Sequence, residues 1–432
     1  MNGINLGVSA GSVVGSAMVG YVVATDQWAV LGVFAVVAVS AWFVVAAPWP
    51  VVVRTAAIGM LIEPTVWPAA SIGPLDLRVG DLLLGLVFLV IAARRRVPGG
   101  GYMWVLLSAL TLYGLARSDT DGDIAFLRIM LPLWLGLALA SAVPIGYQVW
   151  SDVRTVCLVI LGSAILADGF PAGRWDSWAG GPNETGLIAA VVIVLGLTAT
   201  RRRRFVVVML GLIALAGSRS IAALVAAVVA IVIVSFAANR HRLRLGRRAP
   251  VLAAYLVVMV AAVVPILRSD YVATIGRHLA QAQAFSIPST AGGALAGAGW
   301  AHLDVSAFTF SDISGLHNVY LDWLAFLGVV GWLLFAALVA TIFRQGDLTV
   351  RIALVAWLVW INSSGAFPGA PWGLLGLLLA AAAINRRERR THLVGSRSAC
   401  SSFAMNAHSW SPAGQLTRPR PSRGGLAEPS AG

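Results

Sequence analysis

Two side chains in this sequence have both the chemistry of a group-transfer site and surroundings that would hold them still. They are Arg219, in Gly217-Ser218-Arg219-Ser220, and His317, in Leu316-His317-Asn318-Val319. A neutral imidazole, with an unperturbed pKa of about 6.5, is the side chain best matched to accept a proton near neutral pH. His317 stands just ahead of an apolar run that begins at Val319, so a helix would fix it at one height. The same His-Asn pair also suits a plain helix cap, and both readings stay open on sequence alone. Arg219 occupies a tight polar turn between two apolar segments. Its planar, permanently charged fork of donors fits a diphosphate; snorkelling, or a bridge to Asp176 or Glu184, is the other reading. Arg277, on an amphipathic stretch at 271–285, is a second candidate donor or a solvated surface residue.

Other chemistries are disfavoured by what is missing. There is no P-loop, no GxSxG between a strand and a helix, no HExxH and no carboxylate cluster on one helix face. His278, His302 and His317 are spaced too irregularly for zinc, and no cysteine joins them. No metal and no cofactor are therefore expected. Cys157 lies in an apolar run and Cys400 near the C-terminus, which suggests no disulfide framework.

The elements that must position these residues are set by composition. Of 432 residues 59% are hydrophobic and only 11% charged, with a mean hydropathy of +0.84. That excludes a water-soluble globular chain and a disordered one. Apolar runs near the length of about 20 residues that a membrane-crossing helix needs recur to residue 385, without the period of two of a β-barrel. The fold class expected is all-α: a polytopic transmembrane helical bundle of roughly twelve to fourteen spans. The sequence divides into a membrane domain at 1–390, with one long loop at 268–317 containing the short amphipathic helix, and a disordered tail at 391–432.

Charge gives the orientation. The net charge of +13 is carried by 31 basic residues, all of them Arg. They cluster at 94–96, 201–204, 240–248, 344 with 351, and 386–390, at helix ends, which is the positive-inside pattern rather than a nucleic-acid footprint. The C-terminus is then cytoplasmic. The loops at 117–123, 168–184, 218–220, 268–317 and 362–371 fall on the external side, and there Arg219 opposes the charge rule. In the run Gly315 to Phe335, Gly328 and Gly331 are expected to give a small-residue face for a packed helix. No Arg precedes the first apolar run, so a cleaved signal peptide is not expected. No internal repeat of the inverted-transporter kind is seen.

Several of these motifs occur in an order that resembles the O-antigen ligase and polymerase superfamily. They are Asp81-Leu82-Leu83-Leu84 before an Arg-rich end, Pro182-Asn183-Glu184-Thr185-Gly186, Gly217-Ser218-Arg219-Ser220, Gly297-Ala298-Gly299-Trp300, His317-Asn318-Val319-Tyr320-Leu321 and Leu327-Gly328-Val329-Val330-Gly331. The resemblance spans about 81–390. It implies a metal-independent glycosyltransferase at the outer face of a bacterial plasma membrane. Such an enzyme moves a glycan from a polyprenyl-diphosphate carrier to the hydroxyl of a glycan or glycolipid acceptor. By position, Arg219 and Arg277 would neutralise the departing diphosphate and His317 would deprotonate or orient the hydroxyl. Relatives often carry a Trp shortly after the loop Arg, and here His278, Leu279, Ala280 and Gln281 follow Arg277 instead. Asn318, Asn183, Trp300 and Tyr320 are the substrate-binding candidates; the aromatics, with Trp175 and Trp178, would stack on sugars or lie in the interfacial belt. Alternatives are a polymerase joining lipid-linked repeat units, or a secondary transporter of an anion or lipid-linked sugar. The nearly uncharged span centres favour the enzyme.

Overall fold

The computed structural model describes residues 39–43, 45–62, 71–72, 75–76, 79–94, 101–118, 120–168, 175–198, 201–243, 295–297, 299, 318–363 and 369–408. Among them the protein is all-helical apart from one two-residue antiparallel pairing, β1 (Ser71–Ile72) with β2 (Leu75–Asp76). The helices are α1 (Trp49–Leu61), α2 (Val79–Ala93), α3 (Gly101–Leu115), α4 (Thr120–Ala142), α5 (Val149–Asp168), α6 (Pro182–Leu197), α7 (Arg201–Ser218), α8 (Ile221–Leu243), α9 (Val319–Gln345), α10 (Leu348–Trp360) and α11 (Ala370–His408). The expected spans before residue 39 and at 251–267, and the amphipathic helix at 271–285, lie outside the described residues.

Local chemistry starts these helices where the sequence changes character. α6 opens with Gly181 as N-cap, Pro182 inside the first turn and Glu184 facing the positive end of the helix dipole. The Asp347 carboxylate caps α10 by accepting from the Val350 N–H at 2.8 Å. α6 is buried at every position from Thr185 to Gly196, so it is the central helix, apolar all round. It packs against α5, α7, α8 and α10. Trp323, Phe335, Trp357 and Trp372 form an aromatic core that joins α9, α10 and α11, with Trp357 edge-on to Trp372 at 5.9 Å.

Among the described residues Arg94, Arg351 and Arg387 lie at one end of the bundle, where they cap carbonyls that helix ends leave unpaired. Arg387 donates to the Ser141 and Val143 carbonyls at the C-terminal end of α4. Arg351 donates to Phe343 near the end of α9 at 2.9 Å, and Arg94 donates to Ala47 ahead of α1 at 2.6 Å. A clasp at the same end ties α1 to α5: Arg54 Nε lies 2.7 Å from Asp152 Oδ1, and the Tyr147 hydroxyl donates to Asp152 Oδ2. Burial raises the Tyr147 pKa; the hydrogen bond to Asp152 and that carboxylate's charge push the same way, while Arg54 opposes them.

One expectation is met in part and two are corrected. The fold is all-helical as expected, and among the described residues two helices, Val149–Leu166 and Val319–Gln345, are long and apolar enough to cross a membrane, of the twelve to fourteen spans expected; the others are shorter apolar helices. The 13 residues of α10, for example, extend about 20 Å. Second, α9 is not one rod. Gly328 has φ 63° and ψ −167°, so the helix breaks there. Trp323 and Phe335 show how sharply. Twelve residues apart, they would be separated by about 18 Å along a straight helix, yet their rings stack with centroids 4.5 Å apart. α9 is thus a head, residues 319–327, folded against a shaft, residues 329–345. What packs on Gly328 is the backbone at residues 295–297, not the neighbouring helix expected of a small-residue face. Third, α11 runs to His408, through the first part of the tail expected to be disordered. No proline lies between Pro371, in the first turn of α11, and Pro412, so a helix already nucleated in the apolar segment can propagate. Residues from Glu388 onward form a second unit, and 409–432 lie outside the described residues.

Candidate functional site

The turn carrying Arg219 is built by its two serines. Ser218 and Ser220 are buried, and the Ser218 hydroxyl donates to the Leu215 carbonyl at 2.8 Å, ending α7. Ser220 Oγ accepts from the Ala223 N–H at 3.4 Å, starting α8. Between them Arg219 has φ 50°, the left-handed region that costs a residue with a Cβ roughly 1–2 kcal/mol. Glycine or asparagine would relieve that strain, and neither is present. The side chain is exposed, and its guanidinium makes no hydrogen bond or ion pair with any described residue. The bridge to Asp176 or Glu184 is therefore not made. Strained backbone that presents an unengaged cation is the kind of local cost that functional sites carry.

The turn is locked to the start of α6. Ser220 Oγ donates to Asn183 Oδ1 at 3.1 Å. Gly186, one turn further along α6, lets the two elements touch: a Cβ there would lie 2.7 Å from Ala223 Cβ and 2.8 Å from Ser220 Cβ. The loop before α6 closes the other side. The Trp175 N–H donates to the Gly217 carbonyl at 3.1 Å, and Thr185 Oγ1 donates to Ser177 Oγ at 2.9 Å. Trp175 is 2% exposed, so its ring is packing beneath the turn and not a sugar platform; Trp178 is 37% exposed.

From Asn183 the connection continues to α10 and α9. Trp360 Nε1 donates to the Asn183 carbonyl at 3.1 Å. Two residues earlier on α10, the Leu358 carbonyl accepts from the Tyr320 hydroxyl at 3.0 Å. Asn318 is the N-cap of α9: its Oδ1 accepts from the Tyr320 and Leu321 N–H groups at 3.1 and 3.2 Å, while Nδ2 donates to the Asn362 carbonyl at 3.4 Å. The capping role for Asn318 is thus realised. Arg219, Asn183, Tyr320 and Asn318 share one end of the bundle, opposite the arginine clusters. His317, Arg277 and Trp300 lie outside the described residues. Among the described residues no group of His, Cys, Asp and Glu could hold a metal ion.

Sequence reasoning missed several members of this end. Asp322, one turn along the head of α9, is 1% exposed and engaged with other groups; an acid inside an otherwise apolar run was its signal. Trp360 was hidden among 16 tryptophans. Tyr113 and Arg117, at the end of α3, gave a signal only in that Arg117 stands on the arginine-poor side. No model of a known protein family matches this chain, and no curated protein does.

Proposed function

We propose that this chain is a multi-pass membrane glycosyltransferase of the O-antigen ligase and polymerase type. It takes a glycan from a polyprenyl-diphosphate carrier and hands it to an acceptor hydroxyl at the outer face of a bacterial plasma membrane. The observation that carries the reading is the meeting of three segments far apart in sequence. The Asn183 helix start, the Arg219 turn and the Asn318 cap are linked through α10 at the arginine-poor end. These are the motifs on which the resemblance rests.

The bilayer setting is supported by outward-facing side chains. Leu166 is 88% exposed and Phe205 72%, with Val105 and Leu112 both at 68%, on helices whose other faces are packed. Water would not tolerate so much apolar surface, whereas lipid would. The short helices suit a locally thinned bilayer with flanking polar side chains reaching to the interface. Positive-inside charge then puts the Arg219 end outside the cell.

In this reading the acceptor oxygen attacks the anomeric carbon as the bond to the diphosphate oxygen breaks. His317 takes the hydroxyl proton, and the polyprenyl diphosphate leaves with both bonding electrons. Direct attack inverts the anomeric centre. Arg219, with Arg277, neutralises the charge that develops on the leaving group, the task a metal ion performs elsewhere. The carrier's hydrocarbon stays in the bilayer, which requires the cation at the rim. A polymerase would use the same groups with a different acceptor.

Deleting the protein in its host tests the proposal. A lipid-linked glycan should accumulate while an envelope product disappears. The wild-type chain should restore that product and His317→Ala should not, although the variant protein still accumulates in membranes. Arg219→Lys should also be impaired, because a point charge replaces a fork poorly. Normal glycan transfer by the His317 variant would refute the proposal, and loss of solute uptake in the deletion strain would favour transport.

A further inference from the structure

The break in α9 is filled in a way that exposes a second device. Where the helix stops at Gly328, the Phe326 and Leu327 carbonyls lose their helical partners. The Gly299 N–H donates to Phe326 at 2.9 Å, and the Tyr113 hydroxyl donates to Leu327 at 3.1 Å. Gly297, with φ 73°, lies so close to Gly328 that a Cβ on either would collide with the other's backbone. Only glycine at both positions permits this approach. Arg117 anchors the inserted backbone to α3: Nε donates to the Ala296 carbonyl at 3.1 Å and Nη2 to the Gly297 carbonyl at 2.9 Å.

Each of these groups sits at the joint between head and shaft, and the head carries Asn318 at its tip. We propose that Arg117 and Tyr113 are positioning residues that hold residues 295–297 and 299 in the break of α9 and thereby fix the head over the end of α10. The inference deepens the transferase reading and rests on it: the head sets the acceptor side, while the Arg219 turn sets the donor side. Without Arg117 two carbonyls lose a bidentate donor, and in a low-dielectric surrounding an unpaired carbonyl is costly enough to reopen the joint. Lysine can serve one carbonyl and should hold the joint in part.

The test uses the full chain in lipid nanodiscs, as wild type, Arg117→Ala, Arg117→Lys and Tyr113→Phe. Amide exchange across residues 319–327 should become about tenfold faster or more in Arg117→Ala, with a smaller gain in the Lys and Phe variants. Binding of undecaprenyl diphosphate alone should stay within about twofold of wild type, while product formed in the complemented deletion host falls by about 10²-fold and recovers partly in Arg117→Lys. General unfolding would weaken carrier binding as well, so weakened binding in Arg117→Ala overturns the positioning role. Unchanged exchange across the head overturns the latch. Faster exchange with full transfer shows that the head does not set the acceptor side, which also overturns the proposal. Failure of the wild type itself to restore product would refute the transferase reading, and the exchange result would still decide the latch.

Discussion

Gly186→Ala strikes the contact that aligns Arg219 with the start of α6. The added methyl would stand 2.7 Å from Ala223 Cβ, 2.8 Å from Ser220 Cβ and 2.9 Å from Ser218 Oγ. Carbon atoms rest at about 3.5–4.0 Å, so α6 and the turn must part by about 1 Å. The Ser220–Asn183 hydrogen bond, now 3.1 Å, would then exceed any useful length. Overpacking costs about 1–3 kcal/mol and the lost bond about 0.5–1.5 kcal/mol, so destabilisation of about 1.5–4.5 kcal/mol is expected. A 1 Å misplacement of the cation relative to its substrate should lower transfer by about 10²-fold. Thermal unfolding of the purified chain in nanodiscs reads the first quantity, and product formed in the complemented deletion host reads the second. Adding Ala223→Gly removes the nearest obstacle and should recover part of both. Wild-type melting together with full transfer in Gly186→Ala would refute the claim that this packing sets the turn.

Three further outcomes are expected. Asn318→Ala should destabilise by about 0.5–2 kcal/mol in thermal unfolding, while Asn318→Asp, which keeps the acceptor of the cap, should lose much less. Asp152→Ala should cost about 1–3 kcal/mol because it strips Arg54 and Tyr147 of a shared partner, and Tyr147→Phe should cost less; equal stability of all three chains would show that the clasp does not tie α1 to α5. Removal of everything after Arg390 should leave glycan transfer intact, and a stably inserted but inactive truncation would contradict that.

Helix content, the segregation of arginine and the identity of the polar turns were legible because they are local. An apolar run is helical wherever it lies, and Asn318 before such a run suits a cap by its chemistry. The break at Gly328 was not legible in the same way. A glycine inside an apolar run reads equally as a packing face, and only the arrival of residues 295–297, bonded to Tyr113 and Arg117, makes it a joint. Trp175 likewise reads as a sugar platform or an interfacial anchor until its ring is found beneath Gly217.

By itself the sequence determined the material: apolar helices with their arginines at one end, and the residue types able to meet a diphosphate and a hydroxyl. The tertiary structure decided the juxtaposition. Asn183 meets Ser220 across 37 residues, and Trp360 meets Asn183 across 177. Contacts at such separations depend on how every intervening helix packs, and no local pattern encodes that sum. Whether Arg219 stands exposed at the same end of the bundle as the head of α9 was therefore a matter for packing alone.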